Sequence, residues 1–121
     1  MSPLNNLNIL TYFHDRSVYN ILSYALKDKG IMLSNYDDSI DLDNSRFHLT
    51  ILDGDLESAK ISDFLSLCSK KLSNARILLA INDNYSYFLT QKLPFAIKGI
   101  IYKPLMVDEL SFIIENSFES F

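Results

Sequence analysis

One cysteine, two histidines and three glycines are all that the 121 residues contain of those types. The lone Cys68 excludes a disulfide framework and a cysteine-based zinc site. His14 and His48 are too few for a multi-histidine metal centre. Gly30, Gly54 and Gly99 lie too far apart for a GxGxxG turn or a P-loop cradle. No run of about 18 uninterrupted apolar residues is present to cross a bilayer. The N-terminus lacks a basic start followed by an apolar stretch. Together these point to a cytoplasmic protein without a membrane partner. Positive charge is also short, since 15 acidic side chains against 11 basic ones leave a net charge of −4. Such a domain has no basic face for a phosphate backbone, so direct nucleic-acid binding is not expected of it. A DNA-binding output domain outside the chain stays open, and residues Glu115 to Phe121 stand where a linker to one would start.

What the sequence does have is apolar residues, 48% of the total, enough for one core in a chain of single-domain length. Short apolar runs alternate with stretches of helical period. Leu7–Phe13, Ile31–Ser34, Arg46–Leu52, Arg76–Ile81 and Gly99–Tyr102 read as five strands. Asp15 offers a helix N-cap, and Val18, Ile21, Leu22, Ala25 and Leu26 recur on one helix face until Gly30 stops it. Ile61, Phe64, Leu65, Cys68 and Leu72 mark a second helix. A short one over about Asn84–Lys92 carries Tyr85, Phe88 and Leu89 inward. Val107, Leu110, Ile113, Ile114 and Phe118 mark the last. Residues 37–45 are acidic and turn-prone, but lack the glycine and terminal glutamate of an EF-hand loop, and read as a solvated connection. Strands this uniformly apolar are buried on both faces, as in a parallel sheet. With right-handed crossovers the fold class is α/β, a doubly wound five-stranded parallel sheet with helices on both faces. Residues 1–121 read as one domain.

In an open parallel sheet, function gathers at the carboxyl ends of the strands. Phe13-His14-Asp15, Asp53-Gly54-Asp55, Ala80-Ile81-Asn82-Asp83 and Lys103-Pro104 stand there. Asp53 and Lys103 converge on that edge, either as a chemically loaded pair or as an inert salt bridge.

Ile51-Leu52-Asp53, then Lys103-Pro104-Leu105 fifty residues on, then Asp108-Glu109-Leu110, resembles a response-regulator receiver domain, the CheY-like module of two-component systems. The resemblance covers the whole chain and implies strand order 2-1-3-4-5. It implies that Asp53 stands at the position that accepts a phosphoryl group from a histidine kinase, and that Lys103 pairs with the phosphoryl oxygens. It implies a magnesium ion held by carboxylates at the end of strand one and by the backbone carbonyl of Asp55. A hydroxyl at the end of strand four and an aromatic in strand five would then carry the added charge to the output face.

The chain departs from that pattern. The acidic pair falls on Phe13 and His14, or, one residue on, on His14 and Asp15. Phe13 cannot bind a cation, and imidazole suits magnesium poorly. His14 is read either as a weak ligand or as a loop histidine bonded to Asp53. Asp15, Asp53 and Asp55 are the carboxylates left for a weakened metal site. The switch hydroxyl falls on Ala80 or Ile81, and the aromatic on Ile100. The expectation is therefore an atypical receiver, not an enzyme, whose output needs no phosphorylation. It would act by self-association or partner docking through the face of helix four, strand five and helix five. Tyr87, Tyr102 and Phe112 are its outward aromatics, while Tyr85 and Phe118 belong to the core. The alternative is a working magnesium-dependent phospho-acceptor in a phosphorelay. A flavin or nucleotide binder would need a phosphate loop where Phe13-His14-Asp15-Arg16-Ser17 stands, and no local nucleophile–histidine motif suggests a hydrolase.

Overall fold

A computed structural model describes residues 7–37, 39–42, 47–72, 76–81, 97–103 and 106–119. They form β1 (Leu7–Tyr12), α1 (Arg16–Lys27), β2 (Ile31–Asn35), β3 (Leu49–Asp53), α2 (Ser58–Lys71), β4 (Ile77–Ile81), β5 (Ile97–Tyr102) and α3 (Val107–Glu119). The sheet is parallel throughout, in the order β2-β1-β3-β4-β5. Every residue of β3 and β4 is buried, which explains their unbroken apolar composition. The register sets Tyr12 beside Leu52, Asp53 beside Ala80 and Ile81 beside Tyr102. The carboxyl ends of four strands are thus level, and the chain turns out of them at one edge.

Alternation along the strands divides the core in two. On one face Ile9, Phe13, Ile51 and Leu78 pack with Leu22 and Leu26 of α1 and with Leu110 and Ile114 of α3. On the other, Leu10, Leu52, Leu79 and Ile81 pack with Ile61, Phe64 and Cys68 of α2. The Cys68 thiol is pushed up to about 12 by burial, so it packs as a small apolar group. Tyr12, Tyr36 and Phe64 form a mutual aromatic contact with ring centroids 4.8–5.2 Å apart. Gly30, at φ 78°, provides the left-handed turn that stops α1 and starts β2.

Several expectations change. Ile21 is 64% exposed, not part of the inward stripe. It lies about 100° round α1 from Leu22, beyond the arc the sheet covers. The third strand starts at Leu49, not Arg46. His48 instead caps the first strand's backbone, its N–H donating to Asn8 O and its Nδ1 accepting from Asn8 N. The acidic connection is not simply solvated, because Leu42 is buried and Ile40 packs against the α2-side core. The expected helix over Asn84–Lys92, with Tyr85 and Tyr87, lies outside the described residues, as do Asn82, Asp83, Pro104 and Leu105. Among the described residues no helix is long and apolar enough to cross a membrane.

Asn35 is a side chain whose role the sequence did not announce. Its Oδ1 accepts from Thr11 Oγ1 at 2.9 Å and from Phe13 N at 3.0 Å, latching the end of β1 to β2. Asn35→Ala leaves the Phe13 N–H without that acceptor. The expected cost is about 1–3 kcal/mol, read from urea unfolding; an unchanged midpoint would show that the latch contributes nothing.

Candidate functional site

Asp53 is the last residue of β3 and only 5% exposed. Gly54 N donates to Ala80 O at 2.7 Å and Lys103 N to Ile81 O at 2.9 Å. These bonds run the sheet ladder one step past each strand, so both side chains leave the edge in fixed directions. Lys103 Nζ lies 2.6 Å from Asp53 Oδ1 and 2.8 Å from Asp55 Oδ2. The convergence expected of Asp53 and Lys103 is present, and Asp55 joins it through its side chain. Asp53 Oδ1 also accepts from Asp55 N at 3.0 Å, while Oδ2 accepts, among the described residues, one long bond of 3.5 Å from His14 N. Burial works against the charged form of Lys103, but the hydrogen bonds and charges of Asp53 and Asp55 outweigh it and raise its pKa. The group is therefore an ammonium at neutral pH.

The end of β1 supplies backbone and packing more than charge. Phe13 is buried in the α1-side core. His14 is exposed and reaches Asp53 through its backbone N–H, not its imidazole. Asp15 caps α1, its Oδ1 accepting from Ser17 N at 2.9 Å and Ser17 Oγ at 2.6 Å. Those Ser17 bonds, side chain first, hold the Asp15 pKa below its ordinary 3.8. A lowered folded value means a contribution present above the ordinary carboxylate pKa and lost as pH falls through the lowered one. Ser17→Ala is expected to move the Asp15 titration upward toward 3.8; an unmoved midpoint by NMR would remove Ser17 as the cause.

At the end of β4, Ala80 and Ile81 are fully buried and carry no hydroxyl. Ile81 also crowds the backbone that follows Asp53, because a Cβ on Gly54 would collide with Ile81 Cγ2.

The resemblance implies magnesium here, and the residues do not fit it. Phe13 offers no donor atom, Asp15 Oδ1 is taken by the two Ser17 bonds, and the Lys103 ammonium already bridges Asp53 and Asp55. Among the described residues no group of three or more His, Cys, Asp or Glu is arranged to hold a metal ion. Asp15, Asp53 and Asp55 do border one recess, with His14, Glu57 and Lys60, but not as a ligand set. Of the proposed interface aromatics, Tyr102 is 50% and Phe112 64% exposed, with Ile100 and Met106 exposed near them in sequence. Tyr87 lies outside the described residues.

No family model and no curated protein matches the sequence. Solved structures do match in fold. A CheY-like receiver domain protein of Methanospirillum hungatei aligns with TM-score 0.75 at 18% identity, over 93% of this chain and 94% of that one. Full-length FixJ of B. japonicum aligns with TM-score 0.77 at 17% identity, over 95% of this chain and 59% of its own. The orphan response regulator HP1043 of H. pylori aligns with TM-score 0.72 at 18% identity, over 95% and 98%. The fold is that of CheY-like receivers.

Proposed function

We propose that the chain is an atypical receiver domain, a cytoplasmic signal-input module whose output does not require phosphorylation of Asp53. The observation that carries this reading is the Lys103 ammonium bonded to Asp53 and Asp55 at once. A carboxylate that attacks a phosphoryl donor needs a free oxygen and a cation to offset the incoming charge. Asp53 Oδ1 is already taken twice, once by the Lys103 ammonium itself. With Ala80 and Ile81 behind it, no hydroxyl follows a phosphate toward β5. Interaction is left as the work of the domain, and exposed Tyr102 and Phe112 are the side chains we assign to it. The longer FixJ chain supports an output domain beyond the receiver, and DNA binding would be that domain's task. A histidine kinase remains a partner only in the alternative, a magnesium-dependent phospho-acceptor, which the long, nearly unshared bond to Asp53 Oδ2 favours.

The test is intact mass after incubation with a small phosphodonor, with and without magnesium. The expected result is no adduct on folded protein. A magnesium-dependent adduct that disappears in Asp53→Asn would establish the phospho-acceptor instead.

A further inference from the structure

Beside the Asp53–Lys103 pair, between β1 and α1, is a cavity of about 390 Å³. That is within the size range of small-molecule sites, about 300–1,000 Å³. Its apolar walls are Phe13, Val18, Ile21 and Leu22. Its polar lining among the described residues is Asp15, Asp53 and Lys103. Most small-molecule sites share this composition, a largely apolar surface with a few polar groups that fix orientation.

The two kinds of lining each have unused capacity. Ile21 is a large apolar side chain left 64% exposed at this cavity. Asp53 is 95% buried by its 5% exposure, yet among the described residues its Oδ2 accepts only the 3.5 Å bond from His14 N. A buried carboxylate oxygen so weakly satisfied is costly unless something donates to it. Asp15 spends Oδ1 on both Ser17 bonds, and among the described residues its Oδ2 accepts none. Among the described residues two carboxylates, Asp15 and Asp53, line the cavity with one ammonium, Lys103, so negative charge is in excess there. An anion would be repelled, and a neutral apolar molecule would leave the carboxylates unsatisfied.

The geometry points to a binding site for a small amphiphilic amine, its ammonium against the Asp15 and Asp53 carboxylates and its apolar body against Phe13, Ile21 and Leu22. A hydrated metal ion would not use the apolar walls, and a larger apolar ligand would not use the carboxylates. The site uses the unmodified Asp53 carboxylate as an acceptor of hydrogen bonds and not as a nucleophile. It also gives Phe13 a role at a strand end where the receiver pattern has a carboxylate.

The experiment is a titration of isotope-labelled protein followed by amide NMR. The probes are phenethylamine, its neutral counterpart phenethyl alcohol, ammonium chloride and magnesium chloride. The expected result is saturable shifts at Phe13, Asp15, Ile21 and Leu22 with phenethylamine at about millimolar concentration. The alcohol should bind about tenfold more weakly, the order of one charge-assisted hydrogen bond. Asp15→Asn retains a capping side chain but loses the charge, and should weaken the amine by a similar factor while leaving the alcohol unchanged. Ile21→Ser, at an exposed position, should weaken both. Equal binding of amine and alcohol, an Asp15→Asn variant that binds the amine as well as the parent, or no saturable shift in folded protein would overturn the proposal. So would magnesium or ammonium chloride producing the same shifts as the amine.

Discussion

Gly54→Ala lowers the stability of the fold by about 1–3 kcal/mol, seen as a lower urea midpoint at unchanged slope. The added Cβ would collide with Ile81 Cγ2 and come within 3.1 Å of Ala80 O and 3.3 Å of Leu79 Cδ1. None of these can easily yield. Ile81 is fully buried in a central strand and its Cγ2 is fixed to the backbone by a single stiff torsion. The glycine backbone is itself held, its N–H donating to Ala80 O. Glycine is needed at this position for close approach. A double-mutant cycle decides the cause. Ile81→Ala removes Cγ2, so the cost of Gly54→Ala should shrink in that background by about 0.5–3 kcal/mol. An equal cost in both backgrounds would sink the collision account.

Lys103→Ala is expected to make the protein more strongly stabilised by magnesium than the parent. Without the ammonium, the Asp53 and Asp55 carboxylates, bridged until then by one nitrogen at 2.6 and 2.8 Å, are left to repel each other. Breaking a buried pair from one side costs about 3–5 kcal/mol. Here the lysine and Asp55 side chains are 25% and 24% exposed, and solvent screening reduces the loss to about 1–3 kcal/mol. A divalent cation can then occupy the gap between the two carboxylates. Millimolar magnesium should raise the melting temperature of the variant more than that of the parent; parallel responses would show that the ammonium does not stand in for a metal. The parent has its own pH signature. Its raised lysine pKa means a contribution fully present below the ordinary 10.5 and lost as pH rises through the higher folded value.

Where the sequence was legible, it was legible through periodicity and strand ends. Unbroken apolar runs gave β3 and β4, and the convergence of Asp53 with Lys103 followed from their places at the ends of β3 and β5. The second bond of Lys103 did not follow. It depends on a tight turn in which Asp55 N binds Asp53 Oδ1, a geometry that apolar patterning does not encode. Asn35 was invisible for a similar reason, because its partners Thr11 and Phe13 are joined to it only by strand pairing. Ile21 was misplaced because an apolar residue at the margin of a helical stripe has the right spacing and too little sheet to cover it. The Gly54–Ile81 contact had a usable signal in retrospect, a glycine directly after Asp53 beside a β-branched residue on the neighbouring strand. The same physics explains a fold match without a sequence-level one. Burial patterns and strand order survive at 16–18% identity, whereas the site residues that departed here are the ones a sequence comparison would weigh most.

The triad of Tyr12, Tyr36 and Phe64 has an optical consequence. The chain contains no tryptophan, so its near-ultraviolet spectrum comes from tyrosine and phenylalanine. Two of seven tyrosines sit in this asymmetric contact, one directly before Phe13 and one directly after Asn35. Both rings also touch Phe64 of α2, which is seated on the sheet. Near-ultraviolet circular dichroism, which vanishes when side-chain packing loosens while helices persist, therefore serves as a label-free gauge of that seating, recorded a residue away from the latch that shapes the site.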